Sequence, residues 1–383
     1  MNYKSILNLL GILLLIFSLS FIPPLMLSVL YAEPLSGIFL YSFLFLITLG
    51  CLMWFTSRQK DLPLNISDGF IITTMFWVVL AFAGSIPFYF FGLNASDAIF
   101  ESVSGITTTG ATVIVGLDEL PKSLLLYRQL LQWIGGMGLI ILAVAVMPTL
   151  GIGGGQLYKM ELPGSHGNQK LTPKITDSAK ALWKIYFGLT IICALLYLLS
   201  GMNLFDAIAH SLSTVAGGGF STHDDSIGFF DSGLIETVCI IFMLLSAASF
   251  AVHYAAIFGG KPLKYFYDSE FRFFLSVVIS IAIVILIFHT VNDSYAEFLL
   301  ALRTSIFHTV SIVTTSGFTT ENFSLWPSFL PYLLLVGAFM GACSQSVGGG
   351  IKTWRVLIMV KQAYKEILNI IHPNAVLSSK IGN

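Results

Sequence analysis

Three short polar stretches, each centred on glycine and set between apolar segments, constrain this chain more than anything else in it. They read Gly105-Ile106-Thr107-Thr108-Thr109-Gly110-Ala111-Thr112, Ser213-Thr214-Val215-Ala216-Gly217-Gly218-Gly219-Phe220-Ser221-Thr222 and Ile312-Val313-Thr314-Thr315-Ser316-Gly317-Phe318-Thr319-Thr320. They align without gaps on Gly110, Gly219 and Gly317, at separations of 109 and 98 residues. Each follows a short apolar segment and precedes a long one. Irregular polar backbone at membrane depth is tolerated only where it is buried in protein or lines a water-filled path. That is the physical setting of an ion selectivity filter.

Composition supplies the membrane. Of 383 residues, 56% are hydrophobic and only 10% charged, and the mean hydropathy is +0.85. A soluble domain carries about 25% charged residues, so the expected class is an all-α polytopic membrane protein. The net charge of −1 offers no basic footprint for nucleic acid. Cys51, Cys193, Cys239 and Cys343 lie in or beside apolar segments without metal or redox spacing and read as small core residues. The apolar run from Ile6 to Tyr31 is long for a signal peptide and has no Ala-x-Ala site, which favours a retained first helix.

Membrane-length segments fall at roughly 5–31, 36–57, 69–92, 124–150, 179–200, 234–259, 271–291 and 327–370, the last broken in the middle. Segments 96–107, 204–215 and 299–313 are too short to span and read as re-entrant pore helices leading into the glycine stretches. Lys4, Arg58, Lys60, Lys159, Lys170, Lys174, Lys180, Lys184, Lys261, Lys264, Arg272, Lys352, Arg355, Lys361 and Lys365 share one side, with Lys122 and Arg303 as exceptions. The positive-inside rule makes that side, and the N-terminus, cytoplasmic. The other side carries Glu33, Asp118, Glu119, Asp224, Asp225, Asp231, Glu236, Asp293, Glu297 and Glu321. These read equally as a cation-concentrating vestibule or as ordinary outer-surface carboxylates.

The resulting plan is a two-helix leading segment (1–60) and three parallel repeats of helix, re-entrant loop and helix (61–155, 156–265 and 266–383) about a common axis. The candidate filter residues are Thr107, Thr108, Thr109 and Gly110, Ala216, Gly217, Gly218 and Gly219, and Thr314, Thr315, Ser316 and Gly317. Glycine permits backbone angles that let carbonyls line a narrow path. Hard oxygen donors without carboxylates suit a weakly hydrated monovalent cation better than calcium or magnesium. The C-terminal ends of the pore helices would add partial negative charge. Close helix packing through small residues is the competing account, and it explains one such stretch better than three in register.

Glu101, His210 and His308 each stand nine residues before an aligned glycine. They have the residue types of a metal triad, but equivalent positions on three symmetry-related helices face three directions, so they read instead as hydrogen-bonding anchors. Arg128 opens the fourth span, where it can snorkel or pair with a pore-loop carboxylate. Trp133-Ile134-Gly135-Gly136-Met137-Gly138 has the look of a close-packing helix face. In the last span, Gly341-Ala342-Cys343-Ser344-Gln345-Ser346-Val347-Gly348-Gly349-Gly350-Ile351-Lys352 should unwind at mid-membrane. That stretch could act as a gate below the filter or be a plain loop between shorter helices. HExxH and nucleophile motifs are absent, which leaves a metal enzyme with little support, and no NAD- or ATP-binding motif occurs.

In these residues the chain resembles the Trk/Ktr/HKT potassium transporter superfamily, most closely the bacterial Trk membrane subunit. The likeness lies in the three glycine stretches, Tyr127-Arg128-Gln129 with Trp133-x-Gly135-Gly136-x-Gly138, Gly348-Gly349-Gly350-Ile351-Lys352, and His372-Pro373-Asn374-Ala375-Val376. It runs over essentially the whole chain. The resemblance implies potassium uptake across the cytoplasmic membrane and potassium at the filter, with no cofactor in the chain itself. It implies a single-pore subunit that dimerises, regulated by a cytoplasmic nucleotide-binding (NAD or ATP) ring. It also implies that 341–353 is the intramembrane gating loop, with Gly341, Ser344, Gln345, Ser346, Gly348, Gly349, Gly350 and Lys352 its chemistry-bearing residues. Glycine at each filter centre goes with potassium, and serine at the first such position with sodium in some relatives. The family has four repeats around a pseudo-fourfold axis and three are visible here. A fourth filter glycine would be expected about 100 residues beyond Gly317, so truncation, or a fourth repeat supplied in trans to a non-conducting or regulatory subunit, is the alternative expectation.

Overall fold

In a bilayer core every backbone donor and acceptor must be satisfied within the protein, so apolar segments of this length become helices. The computed structural model describes residues 3–58, 66–146, 175–327 and 329–372, and every regular element among them is helical. Lys60, Lys159, Lys170 and Lys174, the segment boundaries near 60 and 155, the end of the 124–150 span and residues 373–376 lie outside the described residues.

The leading span is α1 (Tyr3–Ser18), one 3-10 turn (Leu19–Phe21) and α2 (Ile22–Leu30). Pro23 and Pro24 occupy the first turn of α2, where a missing amide donor leaves no hydrogen bond unmade, so the span continues through them. α3 (Ser36–Thr56) returns against α1. The backbones meet at Gly11 and Gly50, where a Cβ on either would come to 3.0 Å from the other's carbonyl oxygen.

Three helix–short helix–helix units follow. The first is α4 (Ile66–Phe91), α5 (Ala95–Ile106) and α6 (Lys122–Val146). The second is α7 (Ile175–Leu199), α8 (Leu204–Ala216) and α9 (Gly233–Ala247) with α10 (Phe250–Ile257). After the short α11 (Lys264–Tyr267), the third is α12 (Ser269–Val291), α13 (Phe298–Val313) and α14 (Leu330–Met340), followed by α15 (Thr353–Ile371). The short helices α5 and α8 begin at Asn94 and Asn203, whose side chains accept from the amides of Asp97 and Asp206 at 2.9 Å. Among the described residues, five spans are long and apolar enough to cross a membrane: Tyr3–Leu30, Ser36–Thr56, Asp68–Phe91, Lys180–Leu199 and Ser269–Val291.

The expected continuous span at 234–259 is instead broken between α9 and α10, with a bend of 103°. The partner of the break is the unwound stretch between α14 and α15. Cys343 N donates to the Ala247 carbonyl at 3.0 Å, and Phe250 N donates to the Gln345 carbonyl at 3.0 Å. Two interrupted helices thus satisfy each other's orphaned groups.

Apolar side chains form two buried clusters. One joins α1–α6, around Phe21, Phe39, Phe88 and Tyr127; the other joins α7–α15, around Tyr186, Phe242, Phe274 and Phe318. The outer faces expose Val29, Phe55, Phe82, Leu199 and Phe339, as lipid contact requires. Cys193, Cys239 and Cys343 are buried free thiols, in keeping with a packing role.

The expected close-packing face is present on α6. A Cβ on Gly136 would lie 3.3 Å from Ala216 Cα and one on Gly138 2.9 Å from the Trp77 ring, while at Gly135 it would overlap the Ile106 carbonyl. Gly135→Ala should therefore lower stability by about 1–3 kcal/mol, the usual cost of overpacking. Gly188→Ala on α7, where a Cβ meets nothing within 4 Å, should not lower it and can raise it by up to about 1 kcal/mol through helix propensity; thermal unfolding of the two variants in detergent makes the comparison.

Candidate ion filter and intramembrane loop

After each short helix the chain leaves helical geometry in the same way. φ is positive at Thr108 (54°), Gly217 (64°) and Thr315 (62°), and again two residues on at Gly110 (77°), Gly219 (76°) and Gly317 (86°). A strand whose φ alternates in sign turns successive peptide planes to one side, so that backbone dipoles can line a surface. Thr108 and Thr315 hold left-handed angles that β-branched residues avoid, a strain of order 1–3 kcal/mol that characteristically marks ligand sites.

The strands meet in sequence. A Cβ added at Gly110 would overlap the carbonyl oxygen of Gly218 and lie 3.7 Å from that of Ser316; one added at Gly219 would overlap the Ser316 carbonyl. One added at Gly317 meets no described atom within 4 Å. Strand one packs on strand two and strand two on strand three. Ala216, Gly217 and Gly218 of the middle strand are buried, whereas Thr107, Thr109 and Gly317 are exposed. The outer loops follow the same order. Asp224 accepts from Gly116 N and Leu117 N at 3.1 and 2.9 Å, and Gly228 N donates to the Thr319 carbonyl at 3.1 Å.

The three residues nine positions before each glycine anchor the return segment behind their own strand. Glu101 accepts from Thr112 Oγ1 at 3.0 Å and Val113 N at 3.2 Å. His210 Nε2 lies 3.0 Å from Ser221 Oγ, and its Nδ1 2.9 Å from the Asp206 carbonyl. His308 contacts the Thr304 and Glu321 carbonyls at 3.1 and 3.3 Å. They sit on three separate helices, and among the described residues no group of three or more His, Cys, Asp or Glu could hold a metal. Arg128 takes the carboxylate alternative. Its Nε donates to Glu101 at 2.7 Å, Nη1 to the Ser221 carbonyl at 3.2 Å and Nη2 to Thr112 at 2.9 Å. Its guanidinium stacks 4.3 Å from the Phe220 ring centre, so one buried cation ties strand one to strand two.

Beneath strand three lies the unwound stretch 341–352, non-helical as the glycines required, with Thr353 opening α15. Thr315 Oγ1 accepts from Gly349 N at 2.6 Å, which couples strand and loop directly. Lys352 donates through Nζ to the Gly348 carbonyl and, at 3.4 Å, to that of Ser346. A Cβ on Gly341 would overlap the Gly349 carbonyl, and one on Gly350 would sit 2.5 Å from Gly341 Cα. Sequence reasoning overlooked Glu270, the buried carboxylate that pins this loop. It accepts from Ser344 N at 2.5 Å, Ser344 Oγ at 2.7 Å and Trp354 N at 3.1 Å. Its signal was a second carboxylate, two residues after Asp268, inside the first turn of an apolar span.

Several carboxylates of the expected vestibule are engaged in holding the loops together. Glu33 accepts from Lys122 N and Ser123 N at 2.8 and 3.1 Å. Glu236 pairs with Arg303 at 3.0 Å, and Glu321 accepts from Trp326 Nε1 at 2.6 Å and from Tyr295. The two basic exceptions to the charge rule are likewise occupied: Arg303 in that pair, and Lys122 over the Tyr31 ring at 4.5 Å.

Just beyond strand two, His223 bridges Asp118 from the loop between α5 and α6 and, at 3.2 Å, Asp206 from α8. It stacks on Phe229 at 3.5 Å between ring centres, with His210 at 6.4 Å. Partial burial works against the imidazolium, but the two carboxylates outweigh it and raise the His223 pKa above its ordinary 6.5. The His223 hydrogen bond in turn holds the Asp118 carboxyl below its usual range.

Two outcomes follow from these contacts. Arg128→Met removes the partner of the buried Glu101 carboxyl and should destabilise by about 3–5 kcal/mol, read as lost thermal stability in detergent. The stabilisation from a raised His223 pKa is fully present below pH 6.5 and is lost as pH rises through the folded value. The melting temperature should fall as pH rises from 6.5 through that value, and His223→Gln should flatten the fall.

Comparison with known proteins agrees with this architecture. Residues 36–383 match the TrkH cation transport protein family. The chain is 48% identical to the Trk system potassium uptake protein TrkH of Halomonas elongata over 385 residues, covering 100% of this chain and 80% of that protein. It is 44% identical to the TrkH of Escherichia coli K12 over 386 residues, again covering 100% and 80%. The crystal structure of the potassium transporter TrkH from Vibrio parahaemolyticus superposes with a TM-score of 0.89 at 45% identity, covering 100% of this chain and 79% of that one. This all-helical membrane chain, a transport protein and not an enzyme, therefore belongs to the TrkH cation transport family.

Proposed function

We propose that this chain is a membrane subunit for potassium uptake, and that its three glycine strands are walls of the selectivity filter. The observation that carries the reading is the shared left-handed pattern at Thr108/Gly110, Gly217/Gly219 and Thr315/Gly317, on strands that abut in succession. The ion ligands are backbone carbonyls and hydroxyls of Thr107–Gly110, Ala216–Gly219 and Thr314–Gly317. No carboxylate enters these strands, which suits a weakly hydrated monovalent cation. The relatives named as potassium uptake proteins support potassium as that ion.

The loop at 341–353 is the gate in this reading. It hangs from strand three at Thr315 and from α12 at Glu270, so its displacement is felt at the filter. Lys352, bonded to the loop's own carbonyls, holds it closed. The segments 1–60, 61–155, 156–265 and 266–383 are the leading pair and the three repeats. The N-terminus faces the cytoplasm across the inner membrane, as the distribution of Lys and Arg supports. The chain works as a homodimer under a cytoplasmic ring that binds NAD or ATP.

The open side of Gly317 favours a second reading, in which these strands conduct only with a fourth strand beside them, from further chain or from another polypeptide. Rubidium uptake in cells lacking their own potassium systems separates the two, with residues 1–383 expressed alone or joined to a fourth-repeat segment of a full-length relative. Uptake by the chain alone supports the first reading, and uptake only in the joined form supports the second. Absence of both would sink potassium transport. In whichever form conducts, Gly219→Ser, whose Cβ would overlap the Ser316 carbonyl, should abolish selective uptake. Gly317→Ser should weaken it through strain at a φ of 86°; undiminished uptake in both variants would overturn the filter assignment.

A further inference from the structure

The three strands are alike in backbone but not in what holds them. In strand one the hydroxyls of Thr107 and Thr109 share a hydrogen bond of 2.8 Å. In strand three those of Thr314 and Ser316 share one of 3.0 Å. At the same register strand two has Ala216 and Gly218, which carry no hydroxyl. A second difference sits behind the strands. Ser104 Oγ donates to the Ala111 carbonyl at 2.5 Å and Ser311 Oγ to the Phe318 carbonyl at 2.6 Å, each the residue after its glycine. The matching Ser213 does not reach Phe220; it donates to the side chain of Gln132 at 2.6 Å.

Gln132 comes from α6, one turn beyond Arg128 and so on the same face. It is fully buried. Its Nε2 donates to the Gly218 carbonyl at 2.6 Å, while its Oε1 accepts from Phe220 N at 3.1 Å as well as from Ser213. A Cβ on Gly218 would come within 2.5 Å of Oε1 and 2.7 Å of Nε2. Gly218 is not among the positive-φ residues, so glycine is required there for the room it leaves to this amide. The other side of the Gly218 carbonyl is closed by Gly110.

We propose that Gln132 is the positioning residue of the middle strand: its side-chain amide replaces the hydroxyl pair carried by the outer strands and fixes the direction of the Gly218 carbonyl. The role needs a donor and an acceptor on one planar group, facing a C=O and an N–H two residues apart, and a side-chain amide supplies both without a change of protonation. Leucine offers neither, and glutamate sets an acceptor against the carbonyl oxygen. The effect belongs to ion discrimination because the carbonyl it holds lies at the junction of two candidate filter strands, packed against Gly110 of strand one. The inference rests on the filter reading above.

The test takes the intact protein in the uptake-competent form, with Gln132→Leu, Gln132→Glu and the triple variant Gln132→Ala/Ala216→Thr/Gly218→Ser, which restores a hydroxyl pair in the vacated space. Two quantities are read: rubidium against sodium uptake, and stabilisation of the purified protein in detergent by potassium against sodium. Both single variants should lose about tenfold in discrimination, the scale of one buried hydrogen bond, and the triple variant should recover most of it. A merely structural role would lower stability equally in either salt, leave the ratio unchanged and gain nothing from the hydroxyl pair; that result overturns the proposal. If the unsubstituted protein neither takes up rubidium nor is stabilised by potassium, the filter reading falls and this inference with it. If it does both and Gln132→Leu keeps its discrimination, only the inference falls.

Discussion

Water is missing at membrane depth, so each backbone group that leaves a helix there must find a protein partner. Most of this molecule follows from that constraint. Each glycine strand runs through the interior without regular secondary structure, and each has its own supporting residue behind it: Glu101, His210 or His308. The same requirement pairs the break at Ala248 with the unwound stretch at Cys343, because each offers what the other lacks. Removing one such partner exposes a buried polar group rather than losing a single contact.

α6 is where these requirements converge. Arg128 and Gln132 lie one turn apart and reach strands one and two from the same side. The small residues Gly135 and Gly136 on the next turn let the helix approach Ile106 and Ala216 closely enough to do so. A buried ion pair contributes little net stability when intact, since desolvation offsets attraction. Its value here is geometric: the planar guanidinium addresses Glu101, Thr112 and the Ser221 carbonyl at once and so fixes the spacing of two strands.

Much of the fold was legible in the chain itself because lipid makes the rules simple. Apolar length marked the spans, insufficient length marked α5, α8 and α13 as short helices, and glycine register aligned Gly110, Gly219 and Gly317. The same rules misjudged 234–259, where composition is continuously apolar yet the helix breaks at Ala248 and Ser249. The local signal is slight, a Ser249 N-cap whose side chain accepts from Ala251 N at 3.3 Å, and the partners that satisfy the break lie almost a hundred residues away in sequence. Glu270 and Gln132 were passed over for a related reason. Each is a polar residue near or within an apolar span, beside other polar residues, and its meaning lies in what it faces.

The sequence by itself determined the class, most of the membrane-length segments and the threefold recurrence of a glycine-centred strand after a short helix, because hydrophobic length and glycine placement act along the chain. Only the tertiary structure decided which carboxylate Arg128 meets, which outer acids are engaged in holding loops, that His223 joins Asp118 to Asp206, and that the middle strand depends on α6. Those are matters of direction between side chains remote in sequence. A hydrogen bond is won or lost over a few tenths of an ångström and some tens of degrees, and composition and spacing carry no record of either.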